Sequence, residues 1–242
     1  MNRFDIIQQI IAKKKSCNYL EIGVEKGQVF LKIKARKKIA VDPAFKIRFK
    51  KKLKASLSNV LNIFNEYYEM TSDSFFEQHR NRLLQLNGLD VAFVDGLHTY
   101  DQTLKDVINC LTYLRPGGVI AVHDCNPATA ASAVPADSRE RAANMNIPGQ
   151  TIDWNGDVWK TIVHLRSTRD DLRICVLDCD HGVAIITKGR PESMLDYSLD
   201  KIDHFDFYDL EKNREHFLNL KPAHYLQDFL ELSDHRPEAK HA

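Results

Sequence analysis

The chain predicts an α/β fold: a mostly parallel sheet with an antiparallel final strand pair and helices on both faces. Three observations carry this. Residues 91–94 and 119–122 are short apolar runs that suit strands buried on both faces. Between them Leu104, Val107, Ile108, Leu111 and Leu114 fall at helical spacing, and a strand–helix–strand crossover of this length makes its two strands parallel. Residues 172–177 and 183–187 form two further strands around Asp178-Cys179-Asp180-His181-Gly182, a connection short enough to pair them antiparallel.

In chain order, the first fifteen residues read as an amphipathic helix. They lack the basic start, long apolar core and small-residue cleavage site of a signal peptide. Residues 19–22 are strand-like, and Gly23 and Gly27 then bracket a tight turn in which a ligand can approach the backbone. Residues 38–42 form a second strand ending on Asp42, about 20 residues beyond Gly23, the interval at which nucleotide-binding α/β units place an acid on ribose hydroxyls. Position 25 is Glu25 and position 28 is Gln28, so the G-x-G-x-x-G fingerprint of NAD and FAD binders is absent. The interval from Gly27 to Asp42 leaves room only for a short helix. Residues 60–68 pass from helix to strand; Ser72, Asp73 or Ser74 then caps a helix running to about Leu86. Thr99 and Gln102 have capping-box spacing, and Pro116-Gly117-Gly118 ends the central helix.

Residues 128–157 are rich in Ala, Asn, Pro and Gly and read as a long functional lid or a disordered connection. A helix with Val158, Ile162 and Leu165 on its apolar side follows. The segment from Arg190 is acidic and aromatic, helical near 210–220 and 223–232, and residues 235–242 read as a frayed end.

No apolar run approaches the ~20 residues of a membrane span. The five cysteines show no paired-motif spacing, which fits a reduced, cytoplasmic setting. The net charge is +1, yet residues 1–54 hold 16 Lys/Arg against 4 Asp/Glu. The run Lys46, Arg48, Lys50, Lys51, Lys52 and Lys54 is either a solvated helix face or an attraction to an anionic partner: a phosphorylated substrate, nucleic acid or a membrane surface. Only Phe45 and Phe49 are spaced along it for base stacking, which disfavours nucleic acid.

The parallel strands ending at Val94 and Val122 share one sheet edge, where α/β folds bind ligands. Asp95, His98, His123, Asp124, Cys125 and Asn126 stand there. Asp95 and His98 either cap the following helix or belong to a site. Two carboxylates brought together repel unless a proton or cation intervenes, so Asp95 and Asp124 are candidate ligands of a cation such as Mg²⁺, which takes oxygen donors. His98, one turn on, is a candidate general base, because imidazole titrates near neutrality.

The order of elements resembles the class I S-adenosylmethionine-dependent methyltransferase fold. Glu21-Ile22-Gly23-Val24-Glu25-Lys26-Gly27 is similar to that family's acid-x-Gly-x-x-x-Gly loop, and Asp42 to its ribose-binding acid. Ser72-Asp73 resembles the third-strand turn that meets the adenine. Asp95-Gly96-Leu97-His98-Thr99-Tyr100, with Pro-Gly-Gly-x5-Asp124, resembles the subfamily carrying an Asp-Gly-x-His-x-Tyr motif. Glu25 and Lys26 depart from it, standing where small residues are common.

The resemblance implies a methyltransferase domain over residues 1–189 and a helical C-terminal extension over 190–242. It assigns the cofactor S-adenosylmethionine to Glu21, Gly23, Gly27, Asp42, Ser72, Asp73 and Asp95, and in several relatives the positions of Asp95 and Asp124 hold a divalent metal. It also implies O-methylation of a small hydroxylated acceptor, a sugar or secondary metabolite. Two other readings compete. One is a non-catalytic binding or assembly module, with the basic third of one copy pairing with the acidic segment of another in a homo-oligomer. The other is an RNA methyltransferase recruited through the lysines.

Overall fold

The computed structural model describes residues 1–145, 147–149 and 153–234; the expectation of a frayed end over 235–242 lies outside the described residues. Helix α1 (Arg3–Ala12) starts with a capping box between Asn2 and Asp5 and buries Ile6, Ile7, Ile10 and Ile11, the stripe expected of an amphipathic helix. Strands β1 (Asn18–Ile22) and β2 (Lys37–Asp42) follow. The short helix expected between them does not form. Residues 25–32 are successive turns, and Glu25 (φ +42°) and Gly27 (φ +62°) take left-handed conformations that a right-handed helix cannot contain.

Helix α2 (Phe49–Ser58), a 3₁₀ turn over Val60–Phe64 and β3 (Glu66–Glu69) lead to α3 (Ser72–Gln78) and α4 (Arg80–Gln85). The single helix expected here is broken at His79. Its cap is Thr71, whose hydroxyl accepts from the Ser74 amide, rather than Ser72, Asp73 or Ser74.

The central unit is β4 (Leu89–Val94), α5 (Tyr100–Tyr113) and β5 (Leu114–Val122). On α5 the buried face is Thr103, Asp106, Val107, Cys110 and Leu111. Ile108 is exposed and Leu114 already belongs to β5, so the expected stripe is rotated. The capping box at Thr99 is half made. Thr99 Oγ1 accepts from the Gln102 amide, while the Gln102 side chain reaches Ser72, Asp73 and Asp106 instead.

Then come α6 (Arg139–Asn144), α7 (Trp159–Thr168), β6 (Leu172–Leu177), β7 (Val183–Lys188), α8 (Leu199–His204), α9 (Phe207–Leu218), β8 (Leu220–Lys221) and α10 (Leu226–Asp234). Among the described residues the strands form one sheet in the order β3-β2-β1-β4-β5-β7-β6-β8. β1 to β5 are mutually parallel, and β7 runs antiparallel to both β5 and β6.

Alternate strand residues feed two cores, as the two-residue period demands. Leu20, Ile22, Val94 and Val122 meet Val107, Trp159 and Phe217 on one face; Tyr19, Phe93 and Ala121 meet Ile6, Ile10 and Phe229 on the other. Residues beyond 190 thus enter both cores, and β8 extends the sheet by pairing with β6. Among the described residues no helix is long and apolar enough to cross a membrane, and the five cysteines are free. Strand order reverses at β1 and β4, which opens the ligand crevice of such sheets at their carboxyl ends.

Candidate functional site

The crevice begins at the glycine turn. Gly23 has φ +83°, and a β-carbon there would lie 2.0 Å from the carbonyl oxygen of Asp95, so only glycine lets the β1 and β4 loops approach this closely. Asp42 pins the turn from β2: one carboxylate oxygen accepts the Glu25 amide at 2.7 Å and the other the Ala44 amide at 2.8 Å. Each oxygen keeps a further lone pair for a ligand. Ser72 and Asp73, at the start of α3, are joined to α5 through the Gln102 amide at 3.2 and 3.1 Å.

Glu21 lies apart from this surface. It is 2 % exposed, on the opposite face of β1 from Ile22, and accepts the Tyr19 hydroxyl at 2.5 Å. Burial raises its carboxyl to about 8, against a smaller opposing effect of the Tyr19 hydrogen bond.

Asp95, His98 and Asp124 come together as the sequence suggests: one donor atom from each lies within 4.8 Å of the others. The way they are held is informative. Asp95 Oδ2 accepts from the Arg3 guanidinium at 3.0 Å, and Asp124 Oδ1 from the Asn155 amide at 2.6 Å. Each carboxylate therefore has one oxygen anchored and one turned inward. His98 Nδ1 is 2.7 Å from the carbonyl of Trp154, which fixes the proton there and leaves Nε2 facing the carboxylates, 3.2 Å from Asp124 and 3.6 Å from Asp95. Such outer partners set the orientation of ligating side chains.

His123, expected at this edge but given no role from sequence, joins the three. Its Nδ1 lies 3.2 Å from Asp95 Oδ1 and 3.0 Å from Asp124 Oδ2, bridging the two inward oxygens. Burial opposes its charge, but the Asp95 and Asp124 carboxylates overcome this and raise its pKa well above the ordinary value. His98 is shifted the same way: burial works against the proton, and Asp95 and Asp124 prevail. Burial would raise Asp95, yet the two imidazoles hold its carboxyl far below the usual carboxylate range. Asp180 is also depressed, first by His123, whose Nε2 lies 3.8 Å from its Oδ1, and then by Arg3, whose amide donates to it at 2.7 Å. Arg3, His98 and His123 thus face the carboxylates of Asp95, Asp124 and Asp180.

The segment after β5 closes over this cluster. Trp154 stacks on His98 with ring centroids 5.1 Å apart. A β-carbon on Gly156 would sit 1.8 Å from the His98 carbonyl oxygen, and Asp157 accepts the Tyr100 amide at 2.7 Å. Sequence reasoning placed this lid beside the site but missed Trp154, Asn155 and Asp157 as its anchors; the only local signal is the run Trp-Asn-Gly-Asp itself. Arg3 and Asp180 were missed too, because Arg3 reaches Asp95 across 92 positions. Cys125 is buried with its thiol toward the carbonyls of Val122 and His123, and Asn126 is bonded to Arg214 and Asp178, so both serve the turn.

Residues 20–125 match the family model described as a methyltransferase domain. No curated protein sequence matches the chain. Its fold is similar to that of the O-methyltransferase TomG from Streptomyces achromogenes, involved in tomaymycin synthesis and solved with SAM: 12 % identity, TM-score 0.52, covering 77 % of this chain and 79 % of that one. It is likewise similar to an O-methyltransferase from Bacillus cereus in complex with SAH (14 %, TM-score 0.52, 77 % and 80 % covered). Cofactor-bound Rv0187 from MTB gives 13 % identity and a TM-score of 0.53 over 77 % and 79 % of the two chains. Sheet order, glycine turn and matched family agree: residues 20–125 are a methyltransferase domain, and the chain that carries it has the class I methyltransferase fold.

Proposed function

We propose that this protein is an S-adenosylmethionine-dependent O-methyltransferase for a small hydroxylated acceptor. The observation that carries the reading is the convergence of Asp95 Oδ1, Asp124 Oδ2 and His98 Nε2 beside the glycine turn, each aimed by an outer partner. The residues present fit both groups the reading needs. A glycine turn that admits no side chain, with Asp42 beneath it and Ser72-Asp73 at its flank, suits a nucleoside-bearing cofactor. Two inward carboxylate oxygens suit a divalent cation such as Mg²⁺, with the His98 imidazole beside them left to take a proton.

When bound, S-adenosylmethionine supplies a methyl group already activated by its sulfonium. A divalent ion on Asp95 and Asp124 would lower the pKa of an acceptor hydroxyl. The chain's own part is positioning, exclusion of water and proton removal. Gly23, Gly27 and Asp42 set the cofactor side. The stacked Trp154 and the Gly156 contact shield His98 from solvent. His98 Nε2, its tautomer set by the Trp154 carbonyl, takes the acceptor's proton.

Isothermal titration with S-adenosylmethionine and S-adenosylhomocysteine tests the cofactor assignment, and release of S-adenosylhomocysteine with a panel of hydroxylated acceptors tests the reaction. Absence of cofactor binding refutes the reading.

A further inference from the structure

The apolar stripe of α2 points away from the protein. Phe49, Leu53 and Leu57, one helical turn apart, are 78 %, 54 % and 82 % exposed. The 3₁₀ turn packed against α2 adds Val60, Ile63 and Phe64, all exposed. Six large apolar side chains thus form one outward patch. Around it the charge has a single sign: residues 43–65 contain six Lys/Arg and no Asp/Glu. Lys50 and Lys54 follow Phe49, Leu53 and Leu57 around the outward arc, while Ala55 and Lys52 face inward, Lys52 over the Tyr67 ring.

Helix α2 is poorly supported from within. It buries no residue, its N-cap makes no side-chain hydrogen bond, and its first turn carries lysines where the helix dipole favours acids. A helix of 10 residues is marginal on propensity alone. Whatever covers this face must accept apolar side chains and supply negative charge to a lysine rim, and it must complement a helix N-terminus crowded with cations.

The geometry points to a membrane-docking surface: residues 46–64 lie on an anionic lipid leaflet, with Phe49, Leu53 and Leu57 entering the headgroup boundary and the lysines at phosphate level. An anionic bilayer meets all three requirements at once. Nucleic acid would answer the lysines but leave the leucines in water. A second copy could offer the acidic segment beyond Arg190, but that segment's own large apolar residues are mostly buried in the two cores. The patch sits by β2 and β3, at the far end of the sheet order from β5 and β7, so it is distinct from the histidine–carboxylate cluster. The inference does not depend on the methyltransfer chemistry.

Flotation of the full-length protein with vesicles of phosphatidylcholine, with and without phosphatidylserine, tests it. Binding is expected only with phosphatidylserine, weakening as salt is raised. Lys50→Gln with Lys54→Gln should lower partition by about 30-fold, at roughly fivefold per cation. Leu53→Ser with Leu57→Ser should lower it on the order of 100-fold. All four positions are exposed, so the fold should survive, and unchanged circular dichroism checks this. Phe49→Trp gives an independent reading in an otherwise intact protein: its emission should shift to the blue on adding anionic vesicles and not neutral ones.

Failure to float with phosphatidylserine overturns the proposal, as does equal flotation of the leucine variant. So does a lipid-free dimer that Leu53→Ser with Leu57→Ser splits, which would put a second copy on the patch. Retention of single-stranded RNA through Lys50 and Lys54, without vesicle binding, would give the face to nucleic acid.

Discussion

Replacing Glu21 by glutamine should make this protein more stable in alkaline solution. Glu21 is buried at 2 % exposure, and its carboxyl is held at about 8 against an ordinary 4.5. The folded chain therefore keeps a proton that the unfolded chain has already released. A group shifted in this direction gives its full stability below about 4.5 and loses it as pH rises toward about 8. The slope inside that window is about 1.4 kcal/mol per pH unit, so the wild type should lose roughly 3–4 kcal/mol through this group between pH 5 and pH 8. For a chain of this size that is a fall in Tm of about 6–16 °C.

Lys38 does not cancel this. Its burial lowers it to about 8 from 10.5, so its effect falls at higher pH, where stability should rise as the unfolded lysine loses its charge. Glu21→Gln keeps a neutral side chain of the same shape and can still accept the Tyr19 hydroxyl. Thermal melts of both proteins from pH 5 to pH 8 measure the difference, and the subtraction removes the titrating groups that do not interact with Glu21. The variant's Tm should change less with pH and should exceed the wild type's at pH 8. Parallel curves would refute the reasoning, because they would mean that Glu21 is ionised in the fold. Affinity for S-adenosylmethionine should change little, since Glu21 supports the glycine turn from the interior.

Four further outcomes follow from the site. Excess EDTA, or Asp124→Asn, should abolish methylation while leaving cofactor affinity intact; full turnover in EDTA would end the metal assignment. His98→Ala should lower turnover by ~10²–10⁴-fold with cation affinity retained, the usual contribution of a general base; loss of cation binding in a titration with Mn²⁺ would make the imidazole a ligand instead. Affinity for Mn²⁺ should rise with pH, because the carboxylates raise the pKa values of His98 and His123 and a cation must displace those protons; a flat profile would place the ion elsewhere. Gly156→Ala puts a β-carbon 1.8 Å from the His98 carbonyl at φ +62° and should displace the lid by ~1 Å, lowering turnover by about 100-fold, with the cofactor Kd unchanged.

Features under local control were legible from the chain alone. Burial on both faces made the runs at 91–94 and 119–122 continuous in apolar residues, and the intervening helix length made them parallel. That places Asp95 and Asp124 at one edge. Gly23 was legible because a close approach of two loops tolerates no side chain. The turns at 25–32 were not, since two left-handed residues outweigh a weak helical pattern.

Which groups face the carboxylates depends on the finished fold. Arg3 arrives from α1, Asn155 and the Trp154 carbonyl from the lid, and His123 by standing between two aspartates that the sheet register aligns. Side-chain meetings across 92, 56 and 31 positions leave no periodicity to read, because they depend on how α1 and the lid pack on the finished sheet. The same holds for α2. Its lysines were plain in the sequence, but whether its leucines faced core or water was set by the sheet edge on which the helix came to rest.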